Sequence, residues 1–151
     1  MKNRNLGAII LAAGKGSRMK STKDANKVTM ALADKPIILH AVELLEKMKF
    51  QLIVIVVGFA KASVINLVKH PMTVFAEQSK RLGTAHAVKC ALPKIPADVT
   101  DVVVINGDDS AFYTPALISN LTNIHFASNA AVTLLTLEIE DPMGLGRVIR
   151  N

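Results

Sequence analysis

Leu11-Ala12-Ala13-Gly14-Lys15-Gly16-Ser17-Arg18-Met19 follows an apolar run directly and places two glycines and two cations within five positions. The residues leading into it, 7–13, are continuously apolar, the pattern of a parallel strand covered on both faces. Glycine has no Cβ, so at Gly14 and Gly16 the backbone can take positive φ. An anion can then reach consecutive N–H groups, which form a positive concavity. Lys15 and Arg18 add mobile charge, and the Arg18 guanidinium can grip two phosphate oxygens as a fork. This is the pattern of a phosphate loop at the carboxyl end of a strand. The same nine residues, read for spacing alone, are also compatible with an ordinary strand-to-helix turn carrying solvated cations.

Two better-known phosphate signatures do not fit. A P-loop requires a glycine where Ile9 stands and a serine or threonine where Gly16 stands. The dinucleotide fingerprint requires a third glycine at the position of Met19.

Outward from the loop, the pattern alternates. Pro36 suits a helix start, followed by Ile38, Ala41, Val42, Leu45 and Met48 at helical spacing. Residues 52–57 form the purest β-branched run and stop at Gly58, which predicts a central strand. Residues 61–69 read as a helix with Val64, Ile65 and Val68 on one face, ended by His70-Pro71. A short strand is expected over 72–76 and a helix over about 85–92. Another buried strand follows over 101–105, and Thr114-Pro115 matches a capped helix start with Leu117, Ile118 and Leu121 inward. A last strand is expected over 129–137. Strands alternating with helices imply a three-layer, doubly wound, mostly parallel α/β sheet of Rossmann-like type, in one domain spanning residues 1–151.

Composition narrows the function. A chain of 151 residues can bury about two thirds of its unfolded surface and fold without staples. The single Cys90 cannot form an internal disulfide, which suits a reducing, cytoplasmic setting. The first apolar run is cut by Gly14 and Lys15 too early for a membrane span, and no small-residue cleavage site follows it. The net charge is +6, yet five cations, Lys15, Arg18, Lys20, Lys23 and Lys27, lie within thirteen residues and are opposed only by Asp24. Such a cluster beside a glycine loop suits a triphosphate. A nucleic-acid platform would interleave aromatics with basic residues, and here there is no tryptophan and one tyrosine. Neither nucleic acid nor membrane is expected as a partner.

In an open parallel sheet, ligands sit outside the carboxyl ends of the strands. Two polar loops are expected there, 14–27 and Asn106-Gly107-Asp108-Asp109. A carboxylate beside a phosphate loop is what a magnesium nucleotide needs, since magnesium takes one or two carboxylates plus phosphate oxygens and water. Asp108 is the candidate ligand for Mg2+. A turn in which Asn106 and Asp108 bond their own backbone explains the same three residues equally well. His40, His70, His86 and His125 are too dispersed for a metal cluster and read as surface or helix-face residues.

Together, LAAGKGSRM at 11–19, Lys27, Gln78 with Leu82-Gly83-Thr84-Ala85-His86-Ala87, Gly107-Asp108, and Asp141-Pro142-Met143-Gly144-Leu145-Gly146-Arg147 resemble the sugar-phosphate nucleotidyltransferases. Within that family they are most similar to the N-acetylglucosamine-1-phosphate uridylyltransferase domain, over essentially the whole chain. The resemblance implies a reaction between UTP and a hexosamine 1-phosphate, N-acetylglucosamine 1-phosphate favoured, giving a UDP-sugar and pyrophosphate. It further implies that Leu11, Ala12, Ala13, Gly14 and Gly16, with Asn106 and Gly107, hold the nucleotide, and that Gln78, Gly83 and Thr84 read the uracil. Lys15, Arg18 and Lys27 would hold the triphosphate and the attacking sugar phosphate, Asp108 the magnesium, and Gly146 the sugar. Such a reaction needs no general base, because the attacking phosphate is already ionised. Alignment and charge neutralisation must carry it.

The chain departs from the family pattern in three places. The loop before Lys27 looks about two residues longer and lacks the usual proline at position 26. The family's proline and leucine after Asp108 are replaced by Asp109-Ser110-Ala111-Phe112-Tyr113, which leaves the acceptor sugar open. The chain also ends at Asn151, where the family continues. A fragment with little or no turnover of its own is therefore expected, with an exposed sheet edge that could favour a homo-oligomer. The rival expectations are a nucleotidyltransferase using another base or acceptor, and a catalytically silent nucleotide-sensing domain of the same fold.

Overall fold

The computed structural model describes residues 5–16, 25–141, 143–144 and 146–149. Four strands, β1 (Leu6–Ala12), β4 (Ile53–Val57), β5 (Thr73–Glu77) and β6 (Asp101–Asn106), form one parallel sheet in the order β5-β4-β1-β6. A two-residue hairpin, β2 (Ala31–Leu32) and β3 (Lys35–Pro36), stands apart from it. The helices are α1 (Ile37–Lys47), α2 (Lys61–Leu67), α3 (Thr84–Ala91) and α4 (Pro115–Ser128).

Side-chain alternation explains the three layers. Ala8, Ile10 and Ala12 of β1, Ile53, Ile55 and Val57 of β4, and Val103 and Ile105 of β6 face one side. There they pack with Ile38, Ala41, Val42 and Leu45 of α1, Val64 of α2 and Ile118 of α4. Ile9, Val54, Val56 and Ala76 face the other side, against Ala87 and Ala91 of α3. All five residues of β4 are buried, as expected for a strand with neighbours on both edges and helices on both faces.

The chain runs outward from β1 to β4 and β5, then returns to place β6 on the other side of β1. The order therefore reverses between β1 and β6. Loops 13–16 and 107–109 both leave the carboxyl edge at that switch point, where parallel α/β sheets hold ligands.

Helix positions agree with the sequence to within a few residues, and the start of α4 agrees fully. Thr114 is its N-cap, its side chain accepting from Leu117 N at 3.2 Å, with Pro115 as the first helical residue. The strand expected over 129–137 is not formed. Asn129 caps α4 in a left-handed conformation, and residues 131–139 carry no ladder. Their β-branched composition meets no partner strand among the described residues, and composition alone cannot supply the backbone bonds a strand requires. Side chains tether this segment instead: Thr133 Oγ1 lies 2.8 Å from His125 Nδ1, and His125 Nε2 lies 3.2 Å from Asp101 Oδ1 at the start of β6. Val132, Leu134, Leu137 and Ile139 remain exposed.

Candidate functional site

At the switch point a cleft of about 620 Å3 opens, lined by the loop after β1, the end of β5, the start of α3 and the loop after β6. Leu11, Ala12, Ala13, Gly14, Gly16, Lys27, Gln78, Gly83, Thr84, Asn106 and Asp108 all line it. These residues come from four parts of the sequence, and the fold brings them to one concavity.

The two loop glycines differ in what they provide. Gly16 has φ +62°, and a Cβ built there would stand 3.0 Å from Lys27 Cβ, so glycine lets the returning chain lie against the loop. Gly14, expected to share the positive φ, does not adopt it. A Cβ on Gly14 would meet nothing within 4 Å, so its bare backbone faces open space at the cleft.

Asn26, which the sequence reading left without a role, organises this loop. It is 1% exposed, and its Nδ2 donates to Ala12 O at 2.9 Å and Phe59 O at 2.8 Å, with Gly14 O at 3.4 Å. Its Oδ1 accepts from Val28 N at 3.1 Å, capping the short 3-10 turn Lys27–Thr29. One amide thus ties the ends of the β1 and β4 loops to the segment that presents Lys27. The only signal in the sequence was a polar residue where the resembled family has proline.

Lys27 Nζ meets Asp108 Oδ2 at 2.7 Å, which fixes the position of a lysine whose loop length had been ambiguous. Asn106 Nδ2 donates to Asp109 Oδ2 at 3.0 Å. Asn106 is thus held within its own loop, at the turn over 107–109, while Asp108 is met by a lysine that the fold brings in from 81 residues away. Gly107 does not line the cleft; its N donates to Leu11 O at 2.9 Å, and a Cβ there would stand 3.1 Å from that oxygen. It lets the β6 loop close on β1 from behind.

On the opposite wall, Gln78 is 5% exposed and its Nε2 donates to Gly83 O at 3.0 Å. Gly83, at φ +94°, precedes α3, whose first turn has no side-chain cap and so leaves backbone N–H groups at this wall. Arg81 also lines the cleft, a cation the sequence reading passed over although it neighbours Leu82-Gly83. Lys15 is not among the lining residues; its Nζ stands over the Phe59 ring, 5.8 Å from the centroid. Gly146 is exposed and is not among the lining residues either. Arg18 lies outside the described residues.

Tyr113, just beyond the β6 loop, has its phenol pushed above the ordinary value, first by burial and then by the charges of Asp109 and Asp108. The raised value means that stability from this group is full below the unfolded value of about 10 and is lost as pH rises through the folded value. With one tyrosine and no tryptophan, ultraviolet absorbance reads Tyr113 alone. Its titration midpoint should lie above that of free tyrosine and move back toward it in Asp109→Asn. An unchanged midpoint in the variant would remove Asp109 as a cause.

A parallel sheet with a glycine loop at its switch point and cationic and acidic side chains across the cleft is the nucleotidyltransferase form of the α/β fold, and the chain belongs to the MobA-like NTP transferase domain family, which matches residues 8–145. It is 42% identical over 145 residues to the bifunctional protein GlmU of Caldicellulosiruptor saccharolyticus, a match covering 95% of this chain and 30% of that protein. Against GlmU of Mycolicibacterium vanbaalenii the identity is 37% over 98% of this chain and 31% of that protein. The chain thus spans about a third of the length of these relatives, at their N-terminal part. The UDP-glucose pyrophosphorylase of Acinetobacter baumanii shares the fold, with a TM-score of 0.68, 21% identity, and 83% of this chain and 54% of that one covered. No helix among the described residues is long and apolar enough to cross a membrane.

Proposed function

We propose that this chain is the nucleotide-binding part of a uridylyltransferase that joins UTP and a hexosamine 1-phosphate, N-acetylglucosamine 1-phosphate favoured, to give a UDP-sugar and pyrophosphate. The observation that carries this reading is that one cleft gathers the named residues. Gly14, Gly16 and Lys27 stand on one side of it, Gln78, Gly83 and Thr84 on another, and Asp108 at the β6 loop.

In this reading the open backbone at Gly14 and Gly16 receives the phosphates, with Leu11, Ala12 and Ala13 forming the floor beneath the nucleoside. Gln78 with the backbone of Gly83 and Thr84 reads the uracil edge, Asn106 shapes the far wall, and Gly107 serves the nucleotide from behind by letting that loop close on β1. A sugar phosphate oxygen attacks the α-phosphorus, the bond from that phosphorus to the bridging oxygen breaks, and pyrophosphate leaves. The nucleophile carries its charge already, so no proton need be removed. Lys27, Lys15 and Arg18 align the two anionic partners and offset the charge growing on the leaving group. Gly146 serves the sugar.

Asp108 fits a magnesium ion. It is an exposed carboxylate at the cleft, already drawing a cation, Lys27, to 2.7 Å, and a single hard oxygen donor is sufficient where phosphates and water complete the shell. When bound, Mg2+ supplies further neutralisation of the phosphate charge.

Amide hydrogen exchange tests the reading without requiring turnover. UDP-N-acetylglucosamine with magnesium should protect the amides of Gly14, Gly16, Gly83 and Thr84, and GDP-mannose should not. Equal protection by both, or none by either, would overturn it.

A further inference from the structure

Gln78 ends β5 at the wall of the cleft, and its side-chain amide is held by two groups of one loop and helix. Gly83 O can only accept, so the atom 3.0 Å from it is the amide nitrogen. The same Nε2 lies 3.0 Å from His86 Nδ1, one turn into α3. An N–H aimed at Nδ1 requires the lone pair there, which places the ring proton on Nε2. Cys90 Sγ, at 3.8 Å from Nδ1, is a weaker neighbour of the same ring. Both amide hydrogens of Gln78 are thereby committed inside the protein. What remains for a molecule in the cleft is Oε1, an acceptor.

We propose that His86 is a positioning residue for base selection: by accepting from Gln78 Nε2 it holds the amide so that Oε1 is presented to the base, favouring uracil over cytosine. This inference rests on the uridylyltransferase reading above. Uracil carries a hydrogen on N3, which Oε1 accepts. A cytosine ring turned the same way offers an unprotonated N3, and two acceptors then face one another. The opposite amide orientation would present the NH2 group and suit cytosine, but it would set Oε1 against the Gly83 carbonyl and leave Nδ1 without its donor.

The consequence follows from populations. When a ligand binds only a minor orientation, its affinity is reduced by that orientation's fraction. Removing the Nδ1 acceptor removes one of two bonds that suppress the turned amide, and a hydrogen bond of ordinary worth corresponds to about fivefold. His86→Leu should therefore tighten CTP binding about fivefold and leave UTP binding nearly unchanged, because the UTP-competent orientation still dominates. His86→Asn places a carbonyl oxygen where Nδ1 stood, and should retain the wild-type UTP-to-CTP ratio. A side chain that merely supported α3 would weaken both nucleotides together when removed.

The test is calorimetric titration of the chain with UTP and with CTP, each with magnesium, for wild type, His86→Leu and His86→Asn. Should the leucine variant fail to fold, His86→Phe, closer in ring shape, replaces it. A wild type without preference for UTP sinks the uridylyltransferase reading and this inference with it. A wild type that prefers UTP beside a leucine or phenylalanine variant with the same ratio overturns this inference alone, as does an asparagine variant that matches leucine.

Discussion

Asn26→Asp should cost the chain about 3 kcal/mol or more of folding stability, although the two side chains have nearly the same shape. Asn26 is 1% exposed and its amide nitrogen is surrounded by the carbonyls of Ala12, Phe59 and Gly14. Aspartate keeps the acceptor for Val28 N but replaces two donated hydrogens with an oxygen facing oxygens. Each buried polar group left unsatisfied costs about 1–3 kcal/mol, and at least two carbonyls lose their donor at once. Against a total stability of about 5–15 kcal/mol, that is a large fraction. Denaturant unfolding of the variant and the parent reads the difference directly. A loss below about 1 kcal/mol would show that the loop is held by other contacts.

Gly14→Val should do the reverse: leave stability nearly unchanged and strongly weaken nucleotide binding. Gly14 is not in the left-handed region, and a Cβ there meets nothing within 4 Å, so the fold tolerates a side chain. The space that side chain would fill is the cleft. Loss of the close phosphate approach should weaken magnesium-UTP by about a hundredfold, equivalent to one or two charge-assisted hydrogen bonds at about 1.5–3 kcal/mol each. Titration beside a thermal melt separates the two effects. Full affinity in a well-folded variant would place the phosphates elsewhere.

The architecture was legible in the sequence because its strands are nearly pure. Residues 53–57 contain only isoleucine and valine, so neither face could be solvated, and a buried parallel strand was the consistent assignment. Thr114-Pro115 declared a helix start in two adjacent letters. The segment over 129–137 misled because strand propensity describes what a chain can do when a neighbour offers a ladder, and none of the described residues does so. At the site, Gly14, Gly16, Gly83, Lys27 and Asp108 were named from the sequence and line one cleft, whereas the contact between Lys27 and Asp108 was not foreseen and Gly107 and Gly146 lie off the lining. Asn26 and Arg81, which also line the cleft, were not named, nor was the contact of His86 with Gln78. Asn26 acts through carbonyls 12, 14 and 33 residues away in sequence, and His86 meets the amide of Gln78, eight residues earlier. Backbone carbonyls and second partners of this kind leave no trace in spacing, because every residue has a carbonyl and only the fold decides which ones converge.

The central claim is that the cleft takes a uridine triphosphate with magnesium, and calorimetric titration of the chain with UTP, CTP, ATP and GTP, each with and without magnesium, tests it most directly. UTP should bind tightest, and its affinity should rise with magnesium in the parent but not in Asp108→Ala. Equal affinity for all four nucleotides, or a magnesium effect that survives the loss of Asp108, would contradict the account.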